Sequence, residues 1–220
     1  IVKDATEPAE VGRDMKNVIK FRDDSWCRPK IGNDAAHCYE NTAAAGLTTA
    51  TYVDDAHSDR DGAIVDADIE LNGAYFAISD DGNTLGDRSN SLSDLRNTLT
   101  HEMGHLLGLE HTCLASGDPP RIDGNGNDVP LCGLTSDPAI TEATMYPFQD
   151  PGETKKRSLE ADDIAGICTV YPTADDPGTC SKPGEGGGCC SASTDGPSGA
   201  VLLFGAVGLL GVTRPRRRRR

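Results

Sequence analysis

The chain has 220 residues, enough for one domain with extensions, and a formal net charge of −14 at pH 7. Six of its basic residues are arginines at the very end, so 15 basic residues face 35 acidic ones in the remainder. A body this acidic repels phosphate groups, which excludes a nucleic acid as the partner.

The first half of the chain predicts short strands, because its apolar and β-branched residues alternate over brief runs. The best alternation includes Ile64, Ile69 and Leu71, which are expected to point inward. The predicted strands are residues 17–22, 47–53, 63–71 and 74–78.

A long helix is predicted next, with a start signal at Ser91 and an acidic residue, Asp94, three positions later. Apolar residues then recur at spacings of three and four, which predicts a buried apolar stripe in which Met103 is a core residue. The stripe consists of Leu92, Leu95, Leu99, Met103, Leu106 and Leu107.

Residues 101–111 of this helix and its exit read H-E-x-x-H-x-x-G-x-x-H. His101 and His105 are four apart and lie on one helix face, and Gly108 permits the sharp turn that brings back His111. Three histidines leave a fourth metal position open for water, as in catalytic zinc sites, and Glu102 is placed to act as the base. A surface helix with two histidines is the alternative, but the added glycine and third histidine argue against it.

This segment resembles the zinc site of the metzincin metalloproteases. Two further matches follow in matrixin order: A-T-M-Y-P at residues 143–147 is similar to the Met-turn, and L-E-A-D-D-I-A-G-I at residues 159–167 is similar to the last helix. We expect Ser158 to cap that helix. The resemblance implies an α+β catalytic domain over residues 1–172, with a twisted sheet, an active-site helix and a C-terminal helix.

The resemblance also implies roles for single residues. Met145 would form a floor beneath the histidines, and Tyr146 and Pro147 would begin the wall of the main specificity pocket. Asp162 and Asp163 would tie the last helix to the Met-turn and to the mature N-terminus.

The chain departs from the matrixin pattern in several places. Met145 follows His111 by 34 residues, a longer link than in matrixins, so residues 112–142 contain an insertion expected at the primed side of the cleft. Within it, residues 123–128 alternate oxygen side chains like a Ca²⁺ loop, although a plain turn explains them as well. Gln149 replaces a usual tyrosine, and Thr112 replaces a usual serine.

Matrixin domains also open with a strand and a long helix, and residues 1–16 show no amphipathic helix. We therefore expect the domain to be N-terminally truncated in this sequence.

Eight cysteines are present, and none forms a C-x-x-C metal pair, which favours disulfides made in an oxidising compartment. Cys27 with Cys38 and Cys113 with Cys132 would each close a short loop. Among the first six cysteines, Cys168 with Cys180 then remains by elimination.

The end of the chain predicts a sorting signal. A Gly/Pro/Ser-rich linker at residues 173–199 precedes an apolar segment and an arginine cluster at residues 200–220. The 13 apolar residues would rise about 20 Å as a helix, against a hydrocarbon core of ~30 Å. Cys189 and Cys190, followed by this segment, resemble a myxobacterial-type (MYXO-CTERM) sorting tail. That implies contact with the membrane and a sorting protease, and a secreted or surface-attached protein; a simple tail anchor is the alternative.

The predicted function is a zinc-dependent endopeptidase that cleaves extracellular proteins or peptides through a zinc-bound water activated by Glu102. One catalytic Zn²⁺ is expected, with Ca²⁺ as a possible second ion. A catalytically silent binding module on the same fold is the alternative, and astacin-like or snapalysin-like metzincins are the competing enzyme classes. The intact Glu102 favours an enzyme, because a binding module has no use for a base there.

Overall fold

The computed structural model describes residues 10–31, 35–40, 44–80 and 92–173. The chain forms two compact units, one of Ile1–Leu107 with Phe148–Ser158 and the other of Gly108–Pro147 with Leu159–Arg220. Cys180, Cys189, Cys190 and most of the predicted linker and tail lie outside the described residues.

The strands lie in the first unit. They are, in chain order, β1 (Ile19–Phe21), β2 (Cys27–Arg28), β3 (His37–Cys38), β4 (Gly46–Tyr52), β5 (Ile64–Leu71), β6 (Ala77–Ser79) and β7 (Leu92–Asp94).

A three-stranded sheet with the order β1-β5-β4 forms the centre of the first unit. β1 runs parallel to β5, and β4 runs antiparallel to it. β5 is buried at every position from Asp66 to Leu71, so both of its faces are covered. Ile69 and Leu71 are fully buried, as predicted, whereas Ile64 is only partly buried.

The fourth strand was predicted at residues 74–78, but residues 74–76 do not form a strand. These residues form a turn held by Asn72, whose side chain accepts the backbone N–H of Tyr75 and whose carbonyl accepts that of Phe76. β6 begins only at Ala77 and pairs in parallel with β7.

Two predicted disulfides are confirmed. Cys27 and Cys38 face each other in register across β2 and β3, with their Cα atoms 4.0 Å apart. Cys113 and Cys132 are bonded in the second unit. Cys168 is partly buried, and its predicted partner Cys180 lies outside the described residues.

Helix α1, which carries His101 and His105, spans Leu95–Leu106, and its cap differs from the predicted one. Asp94 caps it by accepting the N–H of Asn97, whereas Ser91 lies outside the described residues. Arg157 forms an ion pair with the same carboxylate. Burial alone would raise the pKa of Asp94, but the hydrogen bonds and charge of Arg157 and the helix amides outweigh it and lower that pKa.

The prediction of a buried apolar stripe on α1 was wrong at Met103. Met103 is 38% exposed, so it is not a core residue. The buried positions of the helix are instead polar or small: Asn97, Thr98, Glu102 and Gly104. The reason is that α1 packs on hydrogen-bonding groups of the Phe148–Ser158 segment and on β4, and only polar side chains satisfy those groups.

Asn97 shows how this face is held. Its Oδ1 accepts the backbone N–H of Lys156 at 2.7 Å, and its Nδ2 donates to Oε1 of Gln149 at 2.9 Å. Gln149 in turn donates to Oγ of Ser93 at 2.9 Å. Lys156 is 2% exposed, and its ammonium donates to the carbonyl of Phe148.

The described residues of the second unit form two α-helices, α2 (Pro138–Thr141) and α3 (Ala161–Val170), and a 3-10 helix at Cys132–Leu134. Glu160, not the predicted Ser158, caps α3, and it shares a reciprocal capping box with Asp163. The core cluster of this unit joins the disulfide Cys113–Cys132 to Ile140, with Tyr146 packed against it. Within the described part of the chain, no helix is long and apolar enough to cross a membrane.

A fully buried carboxylate, Glu70, ties the sheet to the strands beside it. Its Oε1 accepts the guanidinium of Arg22 at 2.8 Å, and its Oε2 accepts that of Arg28 and the hydroxyl of Tyr39 at 3.1 Å. Burial and the charge of Glu70 raise the pKa of Tyr39 to about 12. Every charge buried here therefore has a partner.

We expect Glu70→Ala to lower the free energy of unfolding by about 3–5 kcal/mol, because Arg22 and Arg28 would both lose this carboxylate and the buried Arg22 would keep only its ion pair with Glu10. Urea denaturation followed by circular dichroism measures the change. Glu40→Ala is the control, since Glu40 is exposed and its loss should cost less than about 0.5 kcal/mol. Equal unfolding curves for the Glu70 and Glu40 variants would contradict this account.

Candidate metal centre and active site

The backbone of residues 101–111 follows the predicted course. His101 and His105 lie one helical turn apart on α1, with their ring centroids 4.9 Å apart. The helix ends at Leu106 with Leu107 as its C-cap, and Gly108 adopts φ 90°, the left-handed region that favours glycine. The chain thus leaves α1 sharply, and His111 follows three residues later.

The three predicted ligands come together. One nitrogen from each of His101, His105 and His111 lies within 4.8 Å of the others. Nitrogens bound at about 2.0–2.1 Å to a tetrahedral zinc lie roughly 3.3 Å from one another, so the three imidazole rings would have to draw together to hold one ion. Among the described residues, no other group of three histidine, cysteine, aspartate or glutamate side chains converges in this way. A neutral three-histidine set fits zinc.

Glu102 is buried against β4. It is 5% exposed, and its Oε2 accepts the hydroxyl of Thr48 at 2.6 Å. Burial raises the pKa of Glu102, and the hydrogen bond from Thr48 and the electrostatic influence of nearby His105 and Lys156 oppose that rise. A carboxylate with a raised pKa is suited to take up a proton.

The third ligand is braced by the insertion. Arg121 donates to Oε2 of Glu110 at 2.6 Å and to the backbone carbonyl of His111 at 2.6 Å. The disulfide Cys113–Cys132 and paired backbone hydrogen bonds between Leu114 and its neighbours Pro130 and Cys132 close the loop around this arginine.

The predicted Met-turn at residues 143–147 lies in the second unit, and its first three residues are buried. Met145 is 4% exposed, and its carbonyl accepts the N–H of Thr112 at 3.2 Å. The hydroxyl of Thr112, at the position where matrixins usually have serine, donates to the carbonyl of Ile140. Tyr146 packs on the disulfide cluster, and Pro147 is partly buried.

The last helix is bonded to the Met-turn. Oδ2 of Asp163 accepts the hydroxyl of Thr144 at 2.6 Å and the N–H of Glu160 at 2.9 Å. Burial raises the pKa of Asp163, which these two hydrogen bonds oppose. Asp162 is partly exposed, and residues 1–9 of the expected N-terminal contact lie outside the described residues.

The calcium-like loop is closed on itself. Oδ1 of Asp123 accepts the backbone N–H groups of Asn125 and Asn127, and Oδ2 accepts the side-chain amide of Asn127. Both carboxylate oxygens of Asp123 thus accept hydrogen bonds within the loop. This agrees with the alternative prediction of an ordinary turn.

Sequence reasoning missed Thr48, Gly46 and Arg121, although each contacts the candidate site. No local pattern marks them, because Thr48 lies 54 residues from Glu102 in the chain. Gln149 was noticed as a departure from the matrixin pattern, but its role as a hydrogen-bond partner of α1 was not predicted.

Comparison with known proteins supports a matrixin-like chain. It is 33% identical over 103 residues to Metalloendoproteinase 1-MMP of Arabidopsis thaliana. The matched stretch covers 47% of this chain, and the chain spans about 20% of the length of that plant protein. No established family profile and no solved structure matches the chain.

Proposed function

We propose that this protein is a zinc-dependent endopeptidase of the matrixin type. The observation that carries the proposal is the convergence of His101, His105 and His111 beside the buried carboxylate of Glu102. The similarity to a plant metalloendoproteinase is in agreement with it.

In this proposal the three histidines hold one Zn²⁺. When bound, zinc lowers the pKa of water in its open position and polarises the scissile carbonyl. Glu102 takes the proton from the attacking water and delivers it to the amine that leaves when the C–N bond breaks. The cysteines are not needed as nucleophiles, which leaves them free for disulfides.

The substrate we propose is a protein or peptide outside the cell, because disulfides such as Cys27–Cys38 persist in oxidising compartments. Tyr146 and Pro147 are proposed as the start of the specificity wall, with Met145 as the floor beneath the metal. Residues 112–142 would border the primed side of the cleft.

We expect purified protein to contain about one zinc per chain and His105→Ala to contain almost none, because two histidines alone bind zinc weakly. Elemental analysis after dialysis measures this. His57→Ala is the control, since His57 is exposed and outside the ligand group. Peptide cleavage should stop on treatment with a chelator and return with added zinc; an unchanged zinc content in His105→Ala would refute the site.

We expect Glu102→Gln to retain zinc but to lose roughly 10²- to 10⁴-fold in kcat, because the amide cannot accept the proton. Cleavage of a fluorogenic peptide library measures the rate, and zinc content is measured on the same preparation. The alternative, a catalytically silent binding module, predicts no cleavage by the wild type. Full activity in Glu102→Gln would show that another residue is the base.

For the tail, we propose that processing near Cys189 or Cys190 removes residues 200–220 and leaves the protein at the cell surface or released. We expect the intact mass of protein from its native cells to lack that segment. A mass that retains it would favour a simple tail anchor instead.

A further inference from the structure

Two residues of β4 contact Glu102, although they belong to a different element from the helix that carries His101 and His105. Gly46 and Thr48 are two apart on β4 and therefore face the same side of the sheet. Both contact the side chain of Glu102, and neither belongs to the motif that identified the site.

Thr48 contacts the carboxylate directly. Its hydroxyl lies 2.6 Å from Oε2 of Glu102 and 3.0 Å from the backbone carbonyl of the same residue. A hydroxyl has one proton, and the shorter contact is to the charged acceptor, where hydrogen bonds are stronger. Thr48 is paired with Ile69 of β5, and this strand pairing fixes the backbone that carries the hydroxyl.

Gly46 provides the space for the same side chain. A Cβ at this position would lie 2.7 Å from Oε1 and 2.8 Å from Cγ of Glu102, closer than non-bonded atoms approach. The glycine is buried and paired with Leu71 of the central strand. Any larger residue would therefore displace the Glu102 carboxylate rather than the strand.

We propose that Thr48 and Gly46 are positioning residues for Glu102, and this inference rests on the proposed peptidase function. Thr48 holds one carboxylate oxygen by its hydrogen bond, and Gly46 admits the side chain against β4. A base fixed in this way keeps the geometry that proton transfer requires.

The first test is Thr48→Val, which removes the hydroxyl and keeps the β-branched shape. We expect kcat to fall by between about tenfold and a hundredfold, with KM and zinc content unchanged, because the base loses its orientation but the ligands are intact. Thr48→Ser restores a hydroxyl and should return kcat to within about threefold of wild type. Thr51→Val, on the same strand, is the matched control.

A second, independent test is Gly46→Ala, which moves the carboxylate by crowding. We expect the same loss of kcat with zinc retained. Gly133→Ala is its control, since a Cβ at Gly133 would meet no atom within 4 Å. If Thr48→Val does not fold, the kcat of Gly46→Ala still tests whether the position of Glu102 matters for the rate.

A double-mutant cycle tests the coupling of Thr48 and Glu102 through both the rate and the stability. In the Glu102→Gln background, Thr48→Val should leave the residual rate unchanged, and the urea midpoints of the two changes should be non-additive. A wild type that cleaves peptides while Thr48→Val and Gly46→Ala both keep kcat within twofold would overturn the positioning role alone. A wild type without Glu102-dependent cleavage would instead overturn the proposed function.

Discussion

The candidate site depends on the buried amide of Asn97, because this side chain fixes the helix that carries two of the three predicted ligands. Asn97 is fully buried, and it bonds both Lys156 and Gln149 of the segment that packs beside α1. An amide left unpaired there would cost about 1–3 kcal/mol. These directional hydrogen bonds therefore hold α1 in one position. An apolar stripe would allow the helix to slide along its neighbour, because apolar contacts have no fixed direction.

The third ligand is stabilised by different means. A long insertion after His111 would ordinarily leave that residue loosely held, since longer loops have more conformational freedom. Here the disulfide Cys113–Cys132 shortens the effective loop, and Arg121 bonds the His111 carbonyl directly. The disulfide and Arg121 thus limit the conformational freedom that a loop of this length would otherwise give to His111.

Glu102 combines burial, a raised pKa and a close contact with β4, and perturbed acids of this kind cluster at functional sites. The side chain has polar neighbours on the strand side and histidines along its helix. Two elements that are distant in sequence, α1 and β4, therefore meet at the proposed base.

The sequence by itself determined the features that depend on short spacing. The ligand spacing from His101 to His111, the turn at Gly108 and the two short-loop disulfides follow from geometry within about 20 residues, where the chain has few alternatives. The main strands followed from alternation. The starts of α1 and α3 were predicted two or three residues too early, because several polar residues there are competent caps.

Only the tertiary structure decided what lies against those local elements. Met103 was predicted to be buried from its spacing, yet it is exposed, because the neighbouring segment offers polar groups to α1 rather than an apolar surface. Thr48 reaches Glu102 across 54 residues of sequence through strand pairing. Periodicity tells which residues share a face, but the partner of that face is chosen by long-range packing, and no local pattern encodes it.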